Sequence, residues 1–475
     1  MSILLLATQG ASAQHADTSA VLRELRIREV GISGSRQTPV RTVMSQTPLF
    51  DRKAQAAAPC QTLEAALRNA PSVDIRERGG KGTQADISVR GGSFDQTMVL
   101  LNGIDFTDAR TGHQSHSLPV DIECISGVEL LEGIPGVGAY AGAKAWVDCD
   151  WAGGTTTLGG DYAFSHIYST NLGELLATPH GDYLRGKSRH TGNVYLRHSK
   201  HWRRFDAAAS AGASLTPYGT ALLWSLDGGC QPAEGLRVSV GASQSMRLPT
   251  FTDLYYSSPA QINNLDLVPE KAVTVRAGAR YAKGRWSASA TGYYRAGRDI
   301  IDWVWHPDDD PVPEWRGKWH SEQTSELDTY GVELTGGYAS SEGFLRRATL
   351  SYAWITTDRS SELIAKSAMD FLRHKAALAV EVRFLRRMSL ALTASVAHRN
   401  GSYTHYPVSG DASVTETRDF KPYFLLDARL AWEKGICRLY VDGMNVTDTR
   451  YCDMGGIPLP GAWVTGGVVL TIGKR

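Results

Sequence analysis

No apolar stretch in this chain of 475 residues approaches the roughly 20 residues that a membrane-crossing helix requires. A helical membrane protein is thereby excluded. A β-barrel is not, because its lipid-facing and lumen-facing side chains alternate and average to an ordinary composition. An excess of charge is also missing. The 50 basic residues nearly balance the 49 acidic ones, so no basic patch points to nucleic acid. The six cysteines (Cys60, Cys124, Cys149, Cys230, Cys437 and Cys452) contain no CxxC pair and no ligand-like spacing, which leaves no metal site legible. No nucleophile–base pair marks an enzyme, and no cofactor is expected.

What is abundant is glycine, at 48, with 12 Trp and 19 Tyr, a combination suited to short turns and interfacial aromatic girdles. From about residue 154 the hydrophobic period becomes two. Leu378, Val380, Val382 and Phe384 alternate with Ala379, Glu381 and Arg383. Leu390, Leu392, Ala394 and Val396 alternate with Ala391, Thr393, Ser395 and Ala397. Phe424, Leu426, Ala428, Leu430 and Trp432 alternate with Tyr423, Asp427 and Arg429. A soluble sandwich shows such alternation with its apolar face inward. Repetition over many long strands, with charge kept to one face, favours a membrane barrel. Turns are short at Lys283-Gly284 and Arg386-Arg387 but long and polar from Asp358 to Ser367, as expected for tight periplasmic turns and longer extracellular loops.

Upstream, three short apolar runs end in Gly, Asn or Asp: Ile87-Ser-Val-Arg-Gly-Gly, Met98-Val-Leu-Leu-Asn-Gly-Ile-Asp105 and Gly127-Val-Glu-Leu-Leu-Glu-Gly133. Thr62 is a candidate N-cap for a helix over Leu63–Ala70, stopped by Pro71, and Ser72–Arg76 reads as a strand. Asn102, Gly103 and Asp105 form a hairpin turn. In this order the segments resemble the plug domain of TonB-dependent outer-membrane receptors. The resemblance continues at Met246-Arg-Leu-Pro-Thr-Phe-Thr-Asp-Leu-Tyr-Tyr256 with Asn264–Glu270, at Thr329-Tyr-Gly-Val-Glu-Leu334, and at Val441–Tyr451 with Gly456–Gly461. It implies an N-terminal α+β plug followed by an antiparallel transmembrane barrel. It also implies residence in the bacterial outer membrane after export, and partners that comprise a TonB-type energy-transducing protein, outer-membrane lipid and an iron-siderophore or cobalamin-like ligand.

The implied domains are a signal-peptide remnant at 1–13 ending in Ala11-Ser-Ala13, a TonB-box segment and linker at 14–45, a plug at 46–143 and a barrel at 144–475. Val30, Gly31, Ile32 and Ser33 lie where the family's TonB box is captured by strand addition; Val30 and Ile32 match its pattern and Gly31 does not. Arg90 sits where the family places an arginine inside the barrel, and Glu129 where it places the acidic plug partner. His113 and His116, in a polar loop, are candidate ligand contacts at the plug apex. Trp303 and Trp305 begin an acidic-aromatic tip, through Asp310, that suits either a cation or sugar or a solvated loop with interfacial Trp. Cys60 and Cys124 fall in one plug and are open to pairing in an oxidising periplasm.

The barrel is short. About 14 strands can be drawn from Gly154 onward, against the roughly 22 of an outer-membrane transporter. Lys144–Trp151 runs straight into Thr155–Phe164, so the missing strands are placed near 143–153. Closing 14 strands leaves about 0.4 of the usual lumen cross-section, too little for a full plug. Either two edges stay unpaired or the plug lies outside. The last strand also lacks the terminal aromatic residue that barrel assembly reads. The expected function is active uptake of a scarce bulky nutrient, with impaired transport, a passive or adhesive barrel, or a receptor remnant as alternatives.

Overall fold

The structure, a computed structural model, describes residues 2–8, 47–51, 62–79, 83–101, 104–105, 125–132, 141–151, 153–359, 371–405 and 416–471. Its N-terminal part holds β1 (Ser2–Thr8), β2 (Thr47–Asp51), α1 (Leu63–Leu67), β3 (Val73–Glu77), β4 (Ala85–Val89), β5 (Thr97–Leu101), β6 (Ile104–Asp105) and β7 (Ile125–Glu132). Strands β2, β7, β1, β5 and β6 make one sheet in that order, and β3 and β4 a separate antiparallel pair. The Thr62 hydroxyl accepts from the Ala65 amide at 3.2 Å, which caps α1 as its sequence predicts. Leu63 and Leu67 then pack with Val73, Ile75, Ile87, Val89, Val99, Ile125 and Val128 in one apolar core. The apolar Ile3–Leu6 run, which suits a leader core, stands here between β5 and β7.

The rest is a wall of strands. It comprises β8 (Ala141–Trp151), β9 (Gly154–Ser169), β10 (Glu174–His180), β11 (Tyr183–Trp202), β12 (Phe205–Thr216), β13 (Gly219–Ala233) and β14 (Leu236–Arg247). After the short helix α2 (Phe251–Tyr255) come β15 (Gln261–Ile262), β16 (Glu270–Lys283), β17 (Trp286–His306), β18 (Lys318–Ala339), β19 (Leu345–Arg359), β20 (Leu372–Phe384) and β21 (Met388–Arg399). The chain finishes with β22 (Ser402–His405), β23 (Glu416–Asp419), β24 (Tyr423–Lys434), β25 (Cys437–Met444) and β26 (Trp463–Leu470). One sheet takes in 17 of these. Apart from the short β10 and β15, its fifteen members follow one another antiparallel from β8 to β26. Fourteen of them start at or after Gly154, the number drawn from the sequence.

Which way this wall faces is settled by burial. Along β18, Leu327, Thr329 and Glu333 are buried, whereas Tyr330, Val332 and Leu334 are exposed. On β21, Ala391, Thr393 and Ala397 are buried while Leu392 and Val396 are exposed, and on β24 Arg429 is buried while Phe424 and Leu430 are exposed. A water-soluble sandwich would show the reverse; exposed Leu and Val over buried Arg, Glu and Thr is the arrangement of a sheet whose outer face meets lipid. Trp151, Trp202, Phe205, Trp286 and Phe344 are exposed beside short turns at one end, an aromatic girdle at the interface. The opposite end carries the long connections, including 248–269, 307–317 and 445–462.

Strand parity has a consequence for closure. The sheet order sets β26 beside β8, and the antiparallel steps between them are even in number. The two strands therefore point the same way, and a seam between them is parallel. A ring of antiparallel strands needs an even count, so these fifteen cannot close into one that is antiparallel throughout.

Candidate functional site

The interface between the plug and the inner face of the wall holds a set of buried ion pairs. Just past β4 the backbone takes φ 53° at Arg90 and 73° at Gly91, a left-handed turn that points the arginine away from its own domain. Its Nε and Nη2 donate to Glu333 Oε1 and Oε2 of β18 at 2.6 and 3.0 Å. The guanidinium also lies over the Tyr293 ring of β17, 4.7 Å from its centroid. Gly331 makes this possible, since a Cβ there would fall 2.1 Å from that ring. The glycine and glutamate of the Gly331-Val-Glu-Leu334 motif thus build one receptor for one plug arginine.

A second pair has the opposite polarity. Arg399, at the end of β21 and almost wholly buried, donates from both Nη atoms to the two Asp74 oxygens of β3 at 2.7 Å each. Burial alone would raise the Asp74 pKa; the Arg399 and Arg76 guanidiniums and the Arg399 hydrogen bond outweigh it and hold the carboxyl well below the usual range. Beside it, Lys375 of β20 donates through Nζ to the Ala70 and Val73 carbonyls at 2.8 and 2.5 Å. A bidentate pair and an ammonium on free carbonyls fix both position and orientation of the plug hairpin.

The third contact explains the Met246–Glu270 signature. Arg247 donates to Glu270 at 2.5 Å and pairs with Asp95 of the plug at 2.7 Å. The Thr250 hydroxyl and the Asp253 carboxylate cap α2 reciprocally, which brings Asp253 to 3.6 Å from the same arginine. Glu270 also accepts from plug residue Gln96 at 3.0 Å. Burial pushes the Asp95 carboxyl up; Arg247 opposes that, Glu270 and Asp253 add to it, and the group settles at about 6. A fourth contact ties Arg68, after α1, to Asp453 at 3.3 Å. All these bonds land on β14 through β21 or on the loop at Asp453. In contrast, Lys144, Trp146, Asp148 and Asp150 on the inner face of β8 are exposed.

The sequence-derived candidates distribute as follows. Arg90 is at the interface. Glu129 lies mid-strand in β7, its backbone paired with Leu5 and Pro48; the carboxylate that Arg90 meets is Glu333. Trp303 and Trp305 lie on β17 opposite Ser321 and Trp319, and the Trp305 and Trp319 rings are 5.5 Å apart. Val30, Gly31, Ile32, Ser33, His113, His116, Cys60 and Cys124 fall outside the described residues. Glu333, Lys375 and Arg399 were not singled out from sequence, and only Arg399 is the lone Lys, Arg, Asp or Glu of its strand.

Residues 204–446 match the family described as TonB dependent receptor-like, beta-barrel, and residues 39–145 match the TonB-dependent Receptor Plug Domain. The vitamin B12 transporter BtuB of Vibrio vulnificus is 28% identical over 109 residues, 23% of this chain and 17% of that protein. BtuB of Photobacterium profundum is 30% identical over 26% of this chain and 19% of its own length. Among solved structures, the siderophore receptor PirA of Acinetobacter baumannii aligns with a TM-score of 0.53 at 13% identity, covering 69% of this chain and 54% of that one. The copper transporter OprC aligns at 0.55 with 13% identity, covering 69% and 56%. The chain thus spans about half the length of these solved neighbours.

Proposed function

Since this chain belongs to the TonB-dependent receptor family, we propose that it serves in the bacterial outer membrane as a receptor for active uptake of a scarce bulky nutrient, a ferric siderophore or cobalamin. The observation that carries this reading is the plug held to the inner wall by ion pairs of both polarities, Arg90–Glu333 and Asp74–Arg399. Such a contact is firm while intact. It is also costly to leave half made, so it suits a stopper displaced only under load. The load would be applied at Val30, Gly31, Ile32 and Ser33 by a TonB-type protein through strand addition. Ligand would sit between the plug apex, where His113 and His116 lie in sequence, and the long loops near Trp303 and Trp305. In this proposal residues 1–13 are a leader, 14–45 the TonB-box segment, 46–143 the plug and 144–475 the barrel.

A second reading, a passive or adhesive barrel or a receptor remnant, is favoured by one observation. The inner face of β8 is exposed, so the described part of the plug leaves that side uncovered. Uptake of labelled ferric siderophore and of cobalamin separates the two readings, measured in cells with and without the energy-transducing partner and with residues 30–33 deleted. Uptake abolished by either loss supports the receptor. Uptake that survives both establishes a passive pore, and no uptake of either nutrient overturns the transport reading.

A further inference from the structure

At the long-loop end of the β17–β18 hairpin, the register sets Val304 opposite His320, Asp302 opposite Glu322 and His306 opposite Lys318. In a pleated sheet these six share one face, so the hairpin brings His306 of β17 beside His320 and Glu322 of β18. The ligand atoms of these three lie within 4.8 Å of one another. His306 and His320 are both buried. The Trp315 ring stacks on His320 at 4.6 Å and meets His306 edge-on at 4.8 Å, closing the cluster from one side.

The hydrogen-bond chemistry of the cluster is unbalanced without a cation. His306 Nδ1 is 2.7 Å from Asp310 Oδ2, and a carboxylate can only accept, so Nδ1 carries the proton and Nε2 of a neutral ring keeps its lone pair. Nε2 nevertheless lies 2.9 Å from Glu322 Oε1. That same oxygen is 2.8 Å from His320 Nδ1. Two acceptors therefore face one another, which requires a positive centre: a second proton on His306, or a metal. Asp310 is itself held, since it accepts from the Val312 amide at 2.8 Å. A carboxylate that orients the far nitrogen of a histidine is the usual support of a metal-ligating imidazole.

We propose that His306, His320 and Glu322 bind one first-row divalent transition-metal ion, with Zn2+ as the reference ion, and that Asp310 positions His306 for it. Two imidazoles and a carboxylate are a donor set that zinc accepts, with a fourth place left for water or an incoming ligand. Bonds of about 2.0–2.1 Å require the two imidazole nitrogens, now 2.9 and 2.8 Å from the Glu322 oxygen, to move away from it by about half an ångström. The surrounding charge agrees: Asp302, Asp310 and Glu322 against Lys318 leave the face acidic. The ion would pin the 307–317 loop to the strand ends whether or not the barrel transports, so the inference stands apart from the uptake reading.

The test uses the full chain in detergent, stripped with a chelator and titrated with Zn2+ alone by calorimetry. The expected result is one saturable site per chain, weakened at least 100-fold by His320→Ala or Glu322→Gln. Asp310→Asn, which keeps all three ligands and is the mildest change, is expected to weaken binding about 10–100-fold. His374→Ala, at a histidine pair elsewhere on the wall, is expected to change nothing. Co2+ bound to the unmutated chain should show the intense visible bands of a tetrahedral site, which gives a readout independent of whether any variant folds. Absence of saturable Zn2+ binding, or a site indifferent to both Glu322→Gln and Asp310→Asn, overturns the proposal and assigns the positive centre to an imidazolium proton.

Discussion

Arg90 of the plug and Glu333 of the wall meet through two hydrogen bonds with both side chains buried. They are separated by 243 positions in sequence, and Glu333 is buried on the face of β18 opposite the exposed Val332 and Leu334. A charge in such a place is expensive to bury alone. Its partner was therefore constrained as tightly as itself.

Removing one member should cost more than removing both. Arg90→Ala leaves Glu333 buried without a cation, and the expected loss is about 3–5 kcal/mol. The paired replacement Arg90→Met with Glu333→Leu keeps volume and removes both charges, and is expected to recover most of that loss. Thermal unfolding in detergent, together with the rate at which trypsin cuts the plug, measures both. Equal destabilisation by the single and the double variants would show that the pair does not hold the plug.

Two plug carboxyls should give the docked state an opposed pH dependence. Asp74 is held below its unfolded value, so its contribution is fully present above the ordinary carboxylate range near pH 4 and is lost as pH falls below it. Asp95 is pushed up to about 6, so the folded state binds its proton more readily than the unfolded state does. Between pH 7 and pH 4 this group makes the docked form more stable as pH falls. Docking is thus expected to be firmest near pH 4–5 and to weaken on either side. Asp95→Asn should flatten the alkaline limb and leave the acid limb, with melting temperature against pH as the readout. A steep alkaline limb in that variant would assign the proton elsewhere.

The wall was legible in sequence because a period of two needs no knowledge of partners: Leu392 and Val396 against Thr393 and Ala397 already sort into two faces. Arg90 was legible because, after Val89, it sits where the resembled receptor family places an arginine inside the barrel. What it pairs with was not. Glu333 was visible in the Gly331–Leu334 motif as a charge on the face opposite Val332 and Leu334, but nothing local says which plug residue a strand will meet. Lys375 and Arg399 bind backbone and carboxylate from across the domain boundary, and only the docking brings those groups together. The His306, His320 and Glu322 cluster was hidden for a related reason. Spacing along one strand shows His320 and Glu322 two apart, whereas His306 joins them only through hairpin register.

The two faces of β21 should respond differently to charge. Leu392 points outward and is exposed, and Thr393 points inward and is buried. Arginine at an outward position near the bilayer midplane costs about 2–4 kcal/mol, so Leu392→Arg is expected to lower the amount of folded protein recovered in the outer-membrane fraction. Leu392→Phe is expected to be tolerated. Heat-modifiable migration of membrane extracts reports the outcome, and full recovery of Leu392→Arg would argue against a lipid-facing surface there.

Coverage of the lumen is the last relationship that can be checked directly. Thr329 on the inner face of β18 is inaccessible beneath the plug, whereas Asp148 on the inner face of β8 is exposed. Among the described residues the side-chain bonds that hold the plug run to β14 through β21 and to Asp453, and none runs to β8. In a Cys149→Ser background, Asp148→Cys is expected to react rapidly with a charged, water-soluble maleimide. Thr329→Cys is expected to react only after Arg90→Ala loosens the plug or after denaturation. Comparable protection of the two positions in the native protein would mean that the plug spreads across the whole inner wall, and the uncovered side that favours a passive barrel would no longer exist.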